Sequence, residues 1–230
     1  MIQKEYAAPI DYNTVLNPKL WHNNHLKPEV RGALLRMAED FIEFLEVPVD
    51  VIDIVITGGN VNYTYTDSSD IDLHIIADFS TAACEREVAE LFDSKRLLYK
   101  RKHNLEIHNI PVELYVEDSR IPARSAGVFS VKQDQWLHRP TRNLPEYDHV
   151  ELDHMVAVWT KILQRAIMTG DLQTCRKAVK LLKTYRTQGL ATDKGEFSIP
   201  NLVYKSLRND HVIDSITRLI DRLHDQDLNI

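Results

Sequence analysis

The chain has 230 residues, 43% of them hydrophobic and 27% charged, an ordinary globular composition on a chain long enough to bury a real core. Its formal charge of −6 excludes binding to nucleic acid by bulk electrostatics, though not through a local basic groove. Two cysteines, Cys84 and Cys175, exclude a disulfide framework or a paired metal motif, and neither an apolar leader nor a membrane span of roughly 18 apolar residues is present, so a cytoplasmic protein without membrane association is expected.

In chain order, residues 1–27 carry Pro9, Pro18 and several asparagines, and read as an extended arm anchored through Trp21. Pro28 suits a first helical position and Glu29 the positive dipole end. Val30, Leu34, Leu35, Ala38, Phe41, Ile42 and Leu45 then recur with helical spacing, which predicts a helix over 28–45 ended by Pro48. Residues 51–57 are a near-continuous apolar run and predict a buried strand. Gly58 and Gly59 end it, and 60–69 form a polar loop. Within that loop Tyr63 and Tyr65 read as packing or surface residues, with base stacking as the alternative.

A second strand is expected over 71–77, with Ile71, Leu73 and Ile75 turned to a core and Asp70 and Asp72 to the opposite side. His74 shares the face of Asp72 and reads as a satisfied or exposed histidine, with a substrate contact or a metal ligand as the alternative. Ser80 and Thr81 can cap a helix over 82–99 with the stripe Cys84, Val88, Leu91, Phe92 and Leu98. Its basic end, Lys95, Arg96, Lys100, Arg101 and Lys102, reads as solvated, with a triphosphate clamp as the alternative. A hairpin over 105–116 turns near Asn109 and delivers Glu113; another, over 127–138, finishes the sheet. Pro140 and Pro145 mark a boundary.

Beyond Glu151 the pattern is helical: 153–168, then 172–188 with Gly189 as a stop, a short helix from Pro200 to about Arg208, and 212–224 before a fraying tail. In the second of these, Arg176, Lys180, Lys183 and Arg186 lie opposite Ala178, Leu181, Leu182 and Tyr185. That basic side is either a solvated face or a contact for triphosphate or nucleic-acid backbone. The fold expected is α/β (α+β), a mixed sheet with flanking helices over 1–145 and a helical lobe over 146–230 that closes a cleft over the sheet.

Two carboxylates on one strand face, joined by a third from a neighbouring strand, can hold divalent ions roughly 3.5–4 Å apart to clamp an in-line phosphoryl displacement. Mg²⁺ takes oxygen ligands and needs no His or Cys cage. Glycines at the preceding turn let a phosphate approach the backbone. Singly, Gly58-Gly59 reads as a simple turn, Asp70 and Asp72 as a strand end, and Glu113 as a solvent-facing strand residue. Their order and spacing raise the joint reading.

In that order, Ile56-Thr57-Gly58-Gly59, Asp70-Ile71-Asp72-Leu73 and Val112-Glu113-Leu114 resemble the signature of the DNA polymerase β-like nucleotidyltransferase superfamily, over roughly residues 50–117. The chain departs from many members in carrying Gly59 in place of Ser and following it with Asn60, Val61 and Asn62. The resemblance implies a nucleotidyltransferase-like core, Mg²⁺ or Mn²⁺ as cofactor, and an NTP substrate, ATP among the candidates. It implies that Asp70 and Asp72 bind both ions, and that Glu113 binds one and helps activate an acceptor hydroxyl. Gly58, Gly59, Asn60, Ser69, Lys180 and Lys183 make up the candidate nucleotide-binding set. The acceptor stays open among an RNA or tRNA end, a protein, a small molecule and a nucleotide. A pyrophosphate transferase, a phosphohydrolase and a non-catalytic nucleotide-binding module remain as alternatives. Leu16-Asn17-Pro18-Lys19-Leu20-Trp21, with Gly195-Glu196-Phe197-Ser198 and Asn201-Leu202-Val203, is similar to segments of predicted nucleotidyltransferases carried by tailed bacteriophages, which implies a setting and no substrate.

Overall fold

The arm does more than anchor. Residues Trp21–His22 (β1) and His25–Leu26 (β2) form a small antiparallel ladder around Asn23 and Asn24, which both take positive φ. Trp21 is buried, stacked on Trp136 with ring centroids 4.8 Å apart and edge-on to Phe129. The following helix α1, Pro28–Leu45, buries Val30, Leu34, Ala38, Phe41 and Leu45, one stripe at i, i+4, i+8, i+11 and i+15. Each of the larger side chains contributes roughly 1.5–3 kcal/mol by leaving water. The helix ends before Pro48, at Glu46, which adopts φ 58° and returns its N–H to the Glu43 carbonyl.

The computed structural model describes residues 13–80, 85–121, 125–142 and 146–229. They fall into two compact units, 13–142 and 146–229. The arm before residue 13, the helix start expected at Ala82, Cys84 and Pro145 lie outside the described residues.

In the first unit, β3 (Val51–Thr57), β4 (Ile71–Ala77), helix α2 (Glu85–Lys102), β5 (Glu106–Ile107), β6 (Ile110–Asp118), β7 (Val128–Ser130) and β8 (Gln135–His138) follow in sequence. The strands make a six-stranded sheet in the order β5-β6-β4-β3-β7-β8. Every neighbouring pair is antiparallel except β4 and β6, which run parallel across the α2 crossover. The hairpin between β5 and β6 turns on His108 and Asn109, both at positive φ, as a two-residue turn matched to strand twist requires. One sheet face, with Ile54, Ile56, Ile71, Leu73, Ile75, Val112 and Leu114, joins α1 in the core. From α2 it receives Phe92 and Tyr99. Leu91 and Leu98, expected in that stripe, are 40% and 46% exposed, because Val88, Phe92 and Tyr99 take the inward face.

The second unit contains α3 (His149–Thr169), α4 (Leu172–Leu190), α5 (Ile199–Asn209) and α6 (Val212–Leu228) around its own core. Asp148 caps α3 by accepting the Val150 and Glu151 N–H groups, and Asp171 caps α4 by accepting that of Thr174. Gly170 ends α3 at φ 62°. Gly189 is not the stop that was expected: it lies inside α4 where a Cβ would meet Ser198 Oγ at 2.6 Å and Pro200 Cβ at 2.7 Å, so its service is close packing. Leu181, placed by the sequence on the apolar side, is exposed, while Cys175 and Gly189 share the buried side with Ala178 and Leu182. The tail expected to fray stays helical to Leu228. Among the described residues no helix is long and apolar enough to cross a membrane.

Candidate metal and nucleotide site

The face of the sheet opposite the α1 core carries the polar residues. In the parallel β4/β6 ladder Asp72 is the register partner of Glu113 and His74 of Tyr115; across the antiparallel β3/β4 ladder Thr57 is the partner of Asp72. Period-two alternation puts these side chains on one face, while their neighbours Ile71, Leu73, Val112 and Leu114 enter the core. Asp70, immediately before β4, joins them. One carboxylate oxygen from each of Asp70, Asp72 and Glu113 lies within 4.8 Å of the others, all three residues being half-buried.

A glycine makes this approach possible. Gly58 has φ 86° and ψ −167°, a backbone region open essentially to glycine alone. A Cβ there would sit 2.3 Å from Asp72 Oδ2. Gly58 therefore supplies both the turn and the space in which the Asp72 carboxylate rests. At Gly59 a Cβ would come to 3.1 Å of Ser69 Oγ, a tighter fit than usual against a hydroxyl that can rotate. Ser69 is half-buried beside this turn, its Oγ accepting the Thr66 N–H at 2.9 Å.

The structure turns Asn60 inward. Its side chain is fully buried; Nδ2 donates to the carbonyls of Asp70 at 2.8 Å and Ser69 at 3.2 Å, and Oδ1 accepts from Asn17 Nδ2 at 2.7 Å. The Trp21 indole N–H donates to the Asn60 carbonyl at 2.8 Å. The Asn60 amide ties the glycine turn to the start of β4, and the arm clamps it there. Lys180 and Lys183 belong to the helical unit. Both are exposed on α4 and line, with Arg176 and Ile220, a groove between α4 and α6. Arg186 departs from that basic side: Nε donates to Asn201 Oδ1 at 3.0 Å and the guanidinium covers the Tyr204 ring at 4.3 Å.

Sequence reasoning missed Tyr115 beside the triad, and weighed Lys100 and Arg96 only as a solvated helix end or a triphosphate clamp. Lys100 of α2 pairs with Glu113 Oε1, and the Tyr115 hydroxyl donates to Glu113 Oε2 at 2.7 Å. Arg96 lies over the Tyr115 ring at 5.0 Å. Burial raises the Glu113 pKa, but the hydrogen bonds from Lys100 and Tyr115 and the charges of Lys100 and Arg96 together hold it below the usual value. Burial, the bond to Glu113 and the charge of Asp72 push the Tyr115 hydroxyl far upward, so it remains a proton donor. His74 stacks on Tyr115, with Nε2 3.0 Å from Thr57 Oγ1 and Nδ1 3.1 Å from Glu117 Oε1. It thus lies in a polar row on the triad's face of the sheet. The shared strand face could have revealed Tyr115, two residues after Glu113; nothing in the periodicity of α2 signals Lys100.

The donor set suits a hard divalent cation: three oxygen-bearing carboxylates converge beside a turn whose glycine leaves room for one of them. No protein-family model matches the chain, and no curated protein matches it. Among solved structures it is similar to a STING-associated CdnE c-di-GMP synthase from Capnocytophaga granulosa, at 16% identity over 88% of this chain and 67% of that chain, with a TM-score of 0.22. At that score the likeness carries no weight for the site.

Proposed function

We propose that the chain is a divalent-metal-dependent nucleotidyltransferase of the polymerase β-like kind, which moves an NMP from an NTP to a hydroxyl acceptor and releases pyrophosphate. The observation that carries this reading is the convergence of Asp70, Asp72 and Glu113 within 4.8 Å on one sheet face, beside a glycine turn. Mg²⁺ or Mn²⁺ held by the three carboxylates would supply Lewis-acid activation of the acceptor hydroxyl and charge neutralisation at the phosphates. The chain's own part is orientation. Gly58 gives the Asp72 carboxylate its place, Asn60 fixes the turn to β4, and Tyr115 aligns Glu113. Gly59 and Ser69 border the position where a phosphate would approach the turn. The exposed Lys180 and Lys183 remain candidates for the triphosphate or for an RNA, tRNA or protein acceptor. A cytoplasmic setting accompanies this reading, that of a host cell if the gene is phage-borne; the phage setting rests on the sequence resemblance alone.

The test is transfer of label from each of four α-³²P NTPs, with Mg²⁺ or Mn²⁺, onto tRNA, onto the protein itself and into small products. Metal-dependent label that Asp70→Asn abolishes is expected, with release of pyrophosphate. Release of labelled nucleotide with no acceptor product would instead indicate a phosphohydrolase or a pyrophosphate transferase, and a parallel assay with γ-³²P ATP separates them, because only a pyrophosphate transferase carries that label onto an acceptor.

A further inference from the structure

Metal binding at the triad leaves one nearby cation unexplained. Lys100 places its ammonium on Glu113 Oε1 from a side chain that is 58% exposed, while the other Glu113 oxygen accepts from Tyr115. A divalent ion held by this triad needs a Glu113 oxygen and repels an ammonium beside it. An ion that takes Oε1 displaces Lys100 from it. Its flexible four-carbon stem and compact charge permit that, and the open side of α2 gives it somewhere to go. Arg96 is not similarly free: Nη2 and Nε donate to Asp93 Oδ1 at 2.7 and 2.9 Å, and its guanidinium is fixed against Tyr115.

We propose that Lys100 is an exchangeable ligand of this site, neutralising Glu113 in the metal-free chain and binding the terminal phosphates of the substrate, and then pyrophosphate, in the metal-loaded one. The inference rests on the nucleotidyltransferase reading and deepens it by assigning a polyphosphate contact to α2. Its signature is a pair of effects of opposite sign. As the competitor of the ion, Lys100 weakens metal binding; as a phosphate ligand, it strengthens pyrophosphate binding.

Calorimetric titrations of the whole chain test this, first with Mn²⁺ alone and then with pyrophosphate in a fixed excess of Mg²⁺. Lys100→Met is expected to bind Mn²⁺ about two- to five-fold more tightly, the worth of an exposed ion pair removed from competition. It is expected to bind pyrophosphate about ten-fold more weakly, the worth of one charge-assisted contact. Arg101→Met removes the same charge from the neighbouring exposed position and should do neither, which separates contact from bulk electrostatics. Unchanged Mn²⁺ affinity, unchanged pyrophosphate affinity, or a loss of both in Lys100→Met overturns the proposal, as does an equal effect of Arg101→Met. Failure of the underlying reading looks different: Mn²⁺ would then bind wild type and Asp70→Asn equally, or bind neither, and the role of Lys100 would fall with it.

Discussion

Replacing Gly58 by Ala tests how the glycine turn and the carboxylates depend on one another. Two costs add. The first is conformational: φ 86° with ψ −167° strains any residue bearing a Cβ by about 1–3 kcal/mol. The second is contact: the new methyl would lie 2.3 Å from Asp72 Oδ2, roughly an ångström inside a normal approach, so the carboxylate has to move. We expect the unit carrying β3 and β4 to lose about 2–3 kcal/mol, a fall in melting temperature of about 5–10 °C. A displacement of this size at a group that must be held in place costs on the order of 10²-fold in activity, and Mn²⁺ affinity should fall with it. Thermal melts followed by circular dichroism, with Mn²⁺ titrations on the same samples, measure both. Gly59→Ala is the control. With no positive φ and only a rotatable hydroxyl at 3.1 Å, it should cost less than about 1 kcal/mol. A Gly58→Ala chain with wild-type metal affinity would refute the argument that Asp72 rests in the space the glycine leaves, even if the melt shifts.

Asn60→Ala should destabilise the same unit by about 2–4 kcal/mol, since it empties a buried site and strands Asn17 Nδ2 and the carbonyls of Ser69 and Asp70; urea unfolding that leaves the midpoint unmoved would contradict this. Gly189→Ala gains about 1 kcal/mol of helix propensity but drives a methyl into Ser198 and Pro200, so the helical unit should lose about 1–3 kcal/mol net, whereas a rise in stability would show that the α4/α5 contact relaxes freely. Glu113 has a folded pKa below its unfolded one, so it adds stability above the unfolded value and loses it as pH falls through the folded value. In Lys100→Met burial still raises that pKa while the lysine's hydrogen bond and charge are gone. The pKa should rise toward the unfolded value and the stability lost on acidification shrink, as a ¹³C titration of the Glu113 carboxyl beside acid-unfolding curves would show; an unmoved pKa would mean that Lys100 does not act on it.

Much of the first unit was legible because its elements obey simple periods. Val30 to Leu45 repeats with the helical period, and the alternation of Ile71, Leu73 and Ile75 with Asp72 and His74 is enough to assign both faces of β4. The Asp70-Ile71-Asp72 spacing then put two carboxylates together, and only the parallel register of β4 with β6 was needed to bring Glu113 to them. What was not legible depends on contacts between segments far apart in sequence. Asn60 sat in a polar run and read as a loop residue; its burial comes from Asn17 and Trp21, some forty residues earlier. Lys100 looked like a solvated helix end because nothing in α2 alone reveals that Glu113 lies beside it. Gly189 followed a helical stretch and read as a terminator, whereas its reason is Pro200 packing across α4. The pattern within an element was readable, and the partner across elements was not.

Metal binding by the three carboxylates is tested on a crystal of the protein soaked in Mn²⁺, with data collected at the manganese absorption edge. An anomalous peak ligated by Asp70, Asp72 and Glu113 is expected, with Lys100 withdrawn from Glu113, and it should disappear in Asp70→Asn. Three carboxylates that stay empty at saturating Mn²⁺, or a peak held by other residues, would contradict it.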